Sequence, residues 1–346
     1  MGQYIVRRLV QALPMLFLVS IAIFALVNIA PGGPMSAYSR TNRIPEEKKA
    51  AIRRSFGLDQ PLPVQYIVWL VGNDWMKIDF DGDGIAESKG ERKGILRGDF
   101  GFSFRSRKPV LDEILDRLGN TVYLMTITLI VVAIIAIPIG IISAVKQYSF
   151  FDICVTTLSF MGQAIPEFWL GMLLIIVFYS LLSNPFTGGP LLPAGGMKSL
   201  GADFSIGDRL KYLILPVTMG AVGWVAWYSR FLRAGMLDVI HQDYIRTARA
   251  KGFSEKAVML RHALKNALIP LVTIFALDIP YIFAGSLYVE IMFSWPGMGR
   301  LYYQAATGRD YPLLMAILII ASAFTVFANL MADITYGFLD PRVRFD

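Results

Sequence analysis

Three stretches of the chain carry no charged side chain and are apolar almost throughout. Leu9–Ile29 runs for 21 residues, Val122–Val145 for 24 and Tyr311–Ala332 for 22. At about 1.5 Å of rise per residue the shortest gives a helix of about 31 Å, the thickness of a bilayer's hydrocarbon layer. Each therefore predicts a membrane-spanning helix. Arg7 and Arg8 ahead of the first run, with Ala30 behind it, offer the alternative of a signal peptide. The run exceeds the roughly 7 to 15 residues of a signal's apolar core, so it is read as an uncleaved helix.

Three further spans are interrupted. Ile153–Leu182 is apolar except for Glu167 and is broken at Pro166, Tyr212–Ser229 holds Pro216, Gly220 and Gly223, and Asn266–Val289 holds Asp278 and Pro280. Proline, glycine and a single acid are tolerated in lipid only where neighbouring helices or a wet cavity satisfy the freed polar groups. These three read as inner helices of a bundle, which makes six spans in an all-α integral membrane chain. Apolar positions at helical spacing in Val64–Val71 and Val110–Leu118 predict short helices in the long segment between the first two spans. The chain then divides into an N-terminal helix at 1–30, an outer loop region at 31–118 and a five-helix core at 119–346.

Composition agrees. Of 346 residues 55% are hydrophobic and 17% charged, against about 25% charged in a soluble domain. The single cysteine, Cys154, excludes a disulfide framework or thiolate cluster, and His241 and His262 flank no acidic cluster, so a histidine-based catalytic metal is poorly supported.

Charge sets the orientation. Residues 230–265 carry eight lysines and arginines against three acids, whereas the loops at 184–211 and 291–309 hold three and two basic residues. The positive-inside rule places 230–265 in the cytoplasm, and counting spans outward puts both termini there. Residues 31–118 are then outside; their 15 basic and 13 acidic residues lie in a loop too long to weigh in that rule. The net charge of +7 is thus an orientation signal, not a nucleic-acid footprint.

The cytoplasmic segment is patterned rather than apolar. Asp243-Tyr-Ile-Arg-Thr-Ala-Arg-Ala-Lys-Gly252 has helix formers and a terminating glycine, and Ser254 with Glu255 opens a second helix. Two readings stand side by side: a basic connector on anionic headgroups, or an element whose small residues, Ala248 and Ala250, let it lie close against another protein.

Those residues, continued by Arg261-His-Ala-Leu-Lys-Asn-Ala-Leu-Ile-Pro270, closely resemble the cytoplasmic loop of ABC importer permeases, in the form found in B-type dipeptide and oligopeptide permeases. Four further blocks resemble that family in its order: Tyr4-Ile-Val-Arg-Arg-Leu9, Phe56-Gly-Leu-Asp-Gln-Pro-Leu62 with Gln65-Tyr66, Gly98-Asp-Phe-Gly-Phe-Ser103, and Phe293-Ser-Trp-Pro-Gly-Met-Gly-Arg300 followed by Asp340-Pro-Arg-Val-Arg344. The resemblance implies a type I importer permease fold. It further implies a subunit of an ATP-driven peptide importer in the prokaryotic plasma (inner) membrane, forming half of the translocation path. A second homologous permease would complete the path, two ATPase subunits would dock from the cytoplasm, and an extracytoplasmic binding protein would deliver peptide. The coupling residues it points to are Tyr244, Arg246, Thr247, Ala248, Arg249, Lys251 and Gly252. Relatives of this type also carry nickel or oligosaccharides, which leaves those cargoes open.

No phosphate-binding loop G-x-x-x-x-G-K-[ST] occurs. Gly195-Gly196-Met197-Lys198-Ser199 has methionine where the glycine before lysine is required, so no enzyme activity is expected, and ATP and magnesium belong to partner subunits. A self-sufficient channel or secondary transporter would need no docking helix, and a membrane enzyme would need a polar constellation that is not visible.

Four acids fall in or at the ends of spans. Glu167 and Asp278 are read either as lining the path and attracting a peptide's amino end, or as pairing with the other permease or capping a broken helix; Glu290 and Asp333 are read as interfacial. Against the family pattern, residues 72–97 are an insertion. It contains Asp79, Asp81, Asp83, Ile85 and Glu87 with Gly84 at the turn, the front half of a calcium loop with the backbone carbonyl of Ile85 as one ligand. Gly90 stands where an EF-hand needs its last glutamate, so the alternatives are a looser calcium loop or a solvated acidic turn.

Overall fold

The structure, a computed structural model, describes residues 2–29, 45, 53–54, 57–79, 88–199, 201 and 205–339. Helix α1 (Gly2–Ile29) carries the first apolar run. Helix α2 (Leu62–Val71) begins behind Pro61 and stops at Gly72, whose φ of 101° and close backbone neighbours leave no room for a side chain. Two short strands follow, β1 (Lys77–Ile78) and β2 (Ser88–Lys89), paired antiparallel with Lys77 opposite Lys89.

Helix α3 (Val110–Val145) joins the short helix expected at Val110–Leu118 to the second span without a break. The uncharged run and the acidic first turn, Asp112 and Glu113, are compatible with a single 36-residue helix because no proline or glycine pair separates them. Ser149 then caps α4 (Phe150–Ala164) by accepting the Asp152 N–H at 3.3 Å. Pro166 cannot continue that helix. The chain turns by 98° into α5 (Glu167–Ile175), which relaxes into π-helix over Ile176–Leu181.

Helix α6 (Ile206–Ile240) is 35 residues long, so the span expected over Tyr212–Ser229 is the middle of a longer rod. Gly220 and Gly223 do not break it, and the basic segment from Arg230 starts as helix rather than loop. Helices α7 (Asp243–Ala250), α8 (Glu255–Ala257) and α9 (Leu264–Ala284) follow, the last two joined by π-helix over Val258–Ala263. The expected fifth span ends early, at Gly285 with φ 75°, and is succeeded by α10 (Leu287–Met292), α11 (Met298–Gly308) and α12 (Tyr311–Leu339). Among the described residues, five helices are long and apolar enough to cross a membrane, and six spans result if the bent pair α4–α5 is one.

The chain packs as two units. One comprises Met1–Ile5, Gly119–Arg300 and Phe327–Asp346. Within it α6 is the hub, touching α4, α5, α9 and α10. Tyr228, Leu232 and Met236 of α6 are buried with Ile245, Ala248 and Val258, and a second cluster gathers Leu215, Met219, Phe293 and Trp295. An ion pair ties α4 to α6: Arg233 donates to both oxygens of Asp152 at 2.6 and 2.7 Å. Asp152 also accepts the Tyr148 N–H at 3.0 Å.

The other unit comprises Val6–Leu118 and Leu301–Val326, with Ile23, Val27, Trp69, Tyr311 and Met315 at its centre. Here Tyr66 packs edge-on to Phe17 and Phe24 and shares a 2.6 Å hydrogen bond with Ser20. Near the hairpin, Arg97 donates to both oxygens of Asp74 at 2.6 Å. That hydrogen-bonded guanidinium holds the exposed Asp74 carboxyl below the usual carboxylate range.

Candidate functional site

In the first unit the three interrupted helices converge on one cavity of about 590 Å³. Each interruption supplies a wall. Pro166 ends α4 and leaves Glu167 in the first turn of α5. Gly223 of α6 opens the wall, since a Cβ there would meet nothing within 4 Å. Asp278 stands two residues before Pro280. Glu167, Gly223, Trp224, Trp227, Asp278 and Tyr281 all line the space. A smaller adjoining cavity shares Glu167, Trp224, Asp278 and Tyr281 and is closed by Leu124, Thr128 and Val132 of α3.

The two acids expected in the spans thus meet at one place, but in different states. Asp278 accepts a hydrogen bond from the Tyr228 hydroxyl. That phenol is fixed by a parallel stack on Phe275, 4.2 Å between centroids, with Trp224 tilted against it at 5.8 Å. Glu167 has no hydrogen-bond or ion-pair partner among the described residues and faces open space.

Glu290, read from the sequence as interfacial, is completely buried within the chain. Its Oε1 accepts the Thr121 hydroxyl at 2.8 Å and its Oε2 accepts the Arg300 N–H at 2.9 Å. Thr121 in turn accepts the Met298 N–H at 2.7 Å. An added Cβ at Gly297 would lie 2.5 Å from Glu290 Oε1, so the glycines of Trp295-Pro-Gly-Met-Gly299 make room for a buried carboxylate. Asp333 falls where side chains lie outside the described residues. Gly195 and Gly196, the pair that superficially suggested a phosphate loop, pack against backbone instead: the Gly196 N–H donates to the Phe293 carbonyl at 2.7 Å.

Another buried acid escaped sequence reasoning. Asp310 is 1% exposed and accepts the Ser103 hydroxyl at 2.5 Å and the N–H groups of Phe104 and Arg105 at 3.1 Å. It thereby holds the end of the Gly98–Ser103 motif, within the second unit.

The patterned basic segment forms the expected helix, turn and second helix. Gly252 adopts φ 80°, a left-handed position suited to glycine. Ser254 accepts the Ala257 N–H at 3.4 Å, and Arg249 reaches across the turn to Glu255 at 2.8 Å. Asn266 donates to the Tyr244 hydroxyl at 3.1 Å. Ile245 and Ala248 point inward, 0% and 5% exposed, against Val258, Met259 and Ala263. The smallness of Ala248 therefore serves close packing on this chain's own core. Tyr244, Arg246, Thr247, Arg249, Lys251 and Gly252 are exposed and share the outer surface of this helix and turn.

Of the calcium-loop residues, Asp79 is described, whereas Asp81, Asp83, Ile85 and Glu87 lie outside the described residues. The paired strands β1 and β2 flank that segment.

Residues 136–345 match the model of the binding-protein-dependent transport system inner membrane component, and residues 1–125 match the N-terminal model of such membrane components. The chain is 40% identical over 346 residues to the oligopeptide transport system permease protein AppB of Bacillus subtilis, covering 100% of both. It is 33% identical over 362 residues to the dipeptide transport system permease protein DppB of Escherichia coli K12, covering 99% of both. It is 35% identical over 348 residues to the glutathione transport system permease protein GsiC of Shigella boydii, covering 100% of both. Among solved structures, an inward-facing MetNI methionine ABC transporter matches with a TM-score of 0.53 at 14% identity, covering 67% of this chain and 99% of that one. That likeness gives the type I importer fold. With family matches extending over nearly its whole length, the chain belongs to the binding-protein-dependent transport system inner membrane components, the membrane permease subunits of ABC importers.

Proposed function

We propose that this chain is one of two homologous permease subunits that enclose the path of an ATP-driven importer for di- and oligopeptides. The end-to-end similarity to relatives named for oligopeptide, dipeptide and glutathione transport carries the cargo class. Two ATPase subunits dock on α7, an extracytoplasmic binding protein delivers the peptide, and both termini of this chain lie in the cytoplasm of a prokaryotic cell. The positive charge of residues 230–265 supports that orientation.

The observation that carries the coupling role is the construction of α7. Its inner face is anchored on the same core as α6 and α9, while Tyr244, Arg246, Thr247, Arg249 and Lys251 face outward. A push on that outer face is delivered to the helices that wall the cavity, because Ile245 and Ala248 share a packed cluster with Tyr228 and Leu271. Alternating access follows: closure of the ATPase dimer moves α7, and the cavity holding Glu167 and Asp278 changes its exposure. This chain contributes no phosphate loop and no catalytic residue; ATP and magnesium act in the partner subunits.

Co-expression with its neighbouring permease and ATPase genes tests the assignment. The subunits co-purify, and proteoliposomes made from them, supplied with the binding protein, take up peptide only with ATP. Uptake of nickel or an oligosaccharide in place of peptide would overturn the cargo, and failure of the ATPase subunits to co-purify would overturn the class.

Calcium in the loop from Asp79 to Glu87 is a separate proposal, supported by the spacing of Asp79, Asp81, Asp83 and Glu87 around Gly84. Calorimetric titration of the full chain with calcium yields heat that the Asp81→Asn/Asp83→Asn variant lacks; equal heats from both would dismiss it.

A further inference from the structure

We propose that Glu167, which lines one cavity together with Trp224, Trp227 and Tyr281, is a waypoint for a protonated primary amine, the amino terminus of a peptide in transit. The proposal rests on the peptide reading for its cargo. The amine site itself stands on the cavity's chemistry.

The cavity of about 590 Å³ falls within the size range of small-ligand sites. Its wall holds two carboxylates and three aromatic rings, and no lysine or arginine is among the residues lining it. The nearby cation of α6, Arg230, is occupied elsewhere: its guanidinium lies 4.4 Å above the centre of the Phe160 ring and donates to Gln163 and to the Ala226 carbonyl. Among the described residues, neither carboxylate of the cavity is ion-paired to Arg230 or to any other cation.

The two carboxylates are not equivalent. Asp278 is held by the Tyr228 hydroxyl, and the stacked Phe275 ring prevents that phenol from swinging away. Glu167 is unpartnered among the described residues, at the 98° break between α4 and α5. A carboxylate in an apolar wall is costly unless it meets an opposite charge. Trp227 and Tyr281 are 50% and 54% exposed, so both rings are within reach of a cation entering the cavity, although Tyr281 also makes an edge contact with Trp224 at 5.9 Å. An ammonium placed against Glu167 gains a charge-assisted hydrogen bond and cation–π contacts together. A blocked amino end gains neither.

The test uses the assembled transporter without its binding protein, titrated with n-butylammonium and with n-butanol, reading tryptophan fluorescence. Quenching by the amine and not the alcohol is expected, with the amine signal absent in Trp227→Phe. Binding weakens about tenfold or more in Glu167→Gln and is partly restored in Glu167→Asp. Equal quenching by the alcohol, or unchanged amine binding in Glu167→Gln, would overturn the site. Should Glu167→Gln fail to assemble, Tyr281→Leu replaces it and keeps the Trp227 reporter, with weaker amine binding expected and unchanged binding overturning the proposal.

A second arm separates this from the cargo assignment. In proteoliposomes with ATP and binding protein, wild type prefers trialanine to N-acetyl-trialanine more strongly than Glu167→Gln does. If both peptides are refused by wild type while n-butylammonium still binds through Glu167, the peptide reading fails and the amine site stands. If peptides enter and Glu167→Gln leaves the preference unaltered, the amine waypoint fails and the peptide reading stands.

Discussion

Glu290 and Asp310 are buried carboxylates that accept hydrogen bonds, and the motifs around them are shaped to fit. Gly297→Ala drives a methyl group into Glu290 and Thr121, an overpacking expected to cost about 1 to 3 kcal/mol. Its signature is a lower melting temperature of the detergent-solubilised protein. Asp310→Ala removes the acceptor of Ser103, Phe104 and Arg105 at once. Each buried donor left unsatisfied costs about 1 to 3 kcal/mol, so residues 98–109 become the first site of cleavage in limited proteolysis, while Asp310→Asn is cut more slowly. The glycines and the Gly98–Ser103 motif were visible in the sequence as resemblance, but their reason was not. Thr121 lies 169 positions from Glu290, and Ser103 lies 207 from Asp310. No local pattern encodes a partner at that distance.

At the scale of elements, hydropathy located the spans and misjudged their ends. Pro166 was legible as a break because proline cannot donate to the preceding turn; the 98° angle depends on how α4 and α5 each pack on α6. Gly220 and Gly223 suggested an interrupted span, yet α6 runs unbroken for 35 residues, its tertiary contacts outweighing the weak helix propensity of glycine. The Asp152–Arg233 pair between α4 and α6 was not legible, because both residues fall outside the apolar runs by which the spans were recognised. Removing one partner of a largely buried pair strands the other. Asp152→Ala is therefore expected to destabilise the protein by about 3 kcal/mol, measurable as loss of folded material on a thermal ramp. In α7 and the turn that ends it, the inner and outer faces predict opposite phenotypes. Ala248→Leu overpacks the core and lowers the melting temperature, whereas Lys251→Ala leaves it unchanged and lowers ATP-driven uptake.

For the whole molecule, apolar content resolved into candidate membrane spans and a basic excess into residues 230–265, both readable from composition along the chain. The convergence of Glu167, Asp278 and Trp224 on one cavity was not readable, since it requires three helices to be brought together. We propose that motion imposed on α7 by ATP-driven partners drives peptide through a path this chain half encloses. Trialanine uptake by proteoliposomes containing the assembled transporter and its binding protein, compared between wild type and Gly252→Trp, tests it most directly. The account predicts ATP-dependent uptake by wild type, and none by Gly252→Trp although its subunits remain assembled. Uptake by this chain alone, or by Gly252→Trp at the wild-type rate, would contradict it.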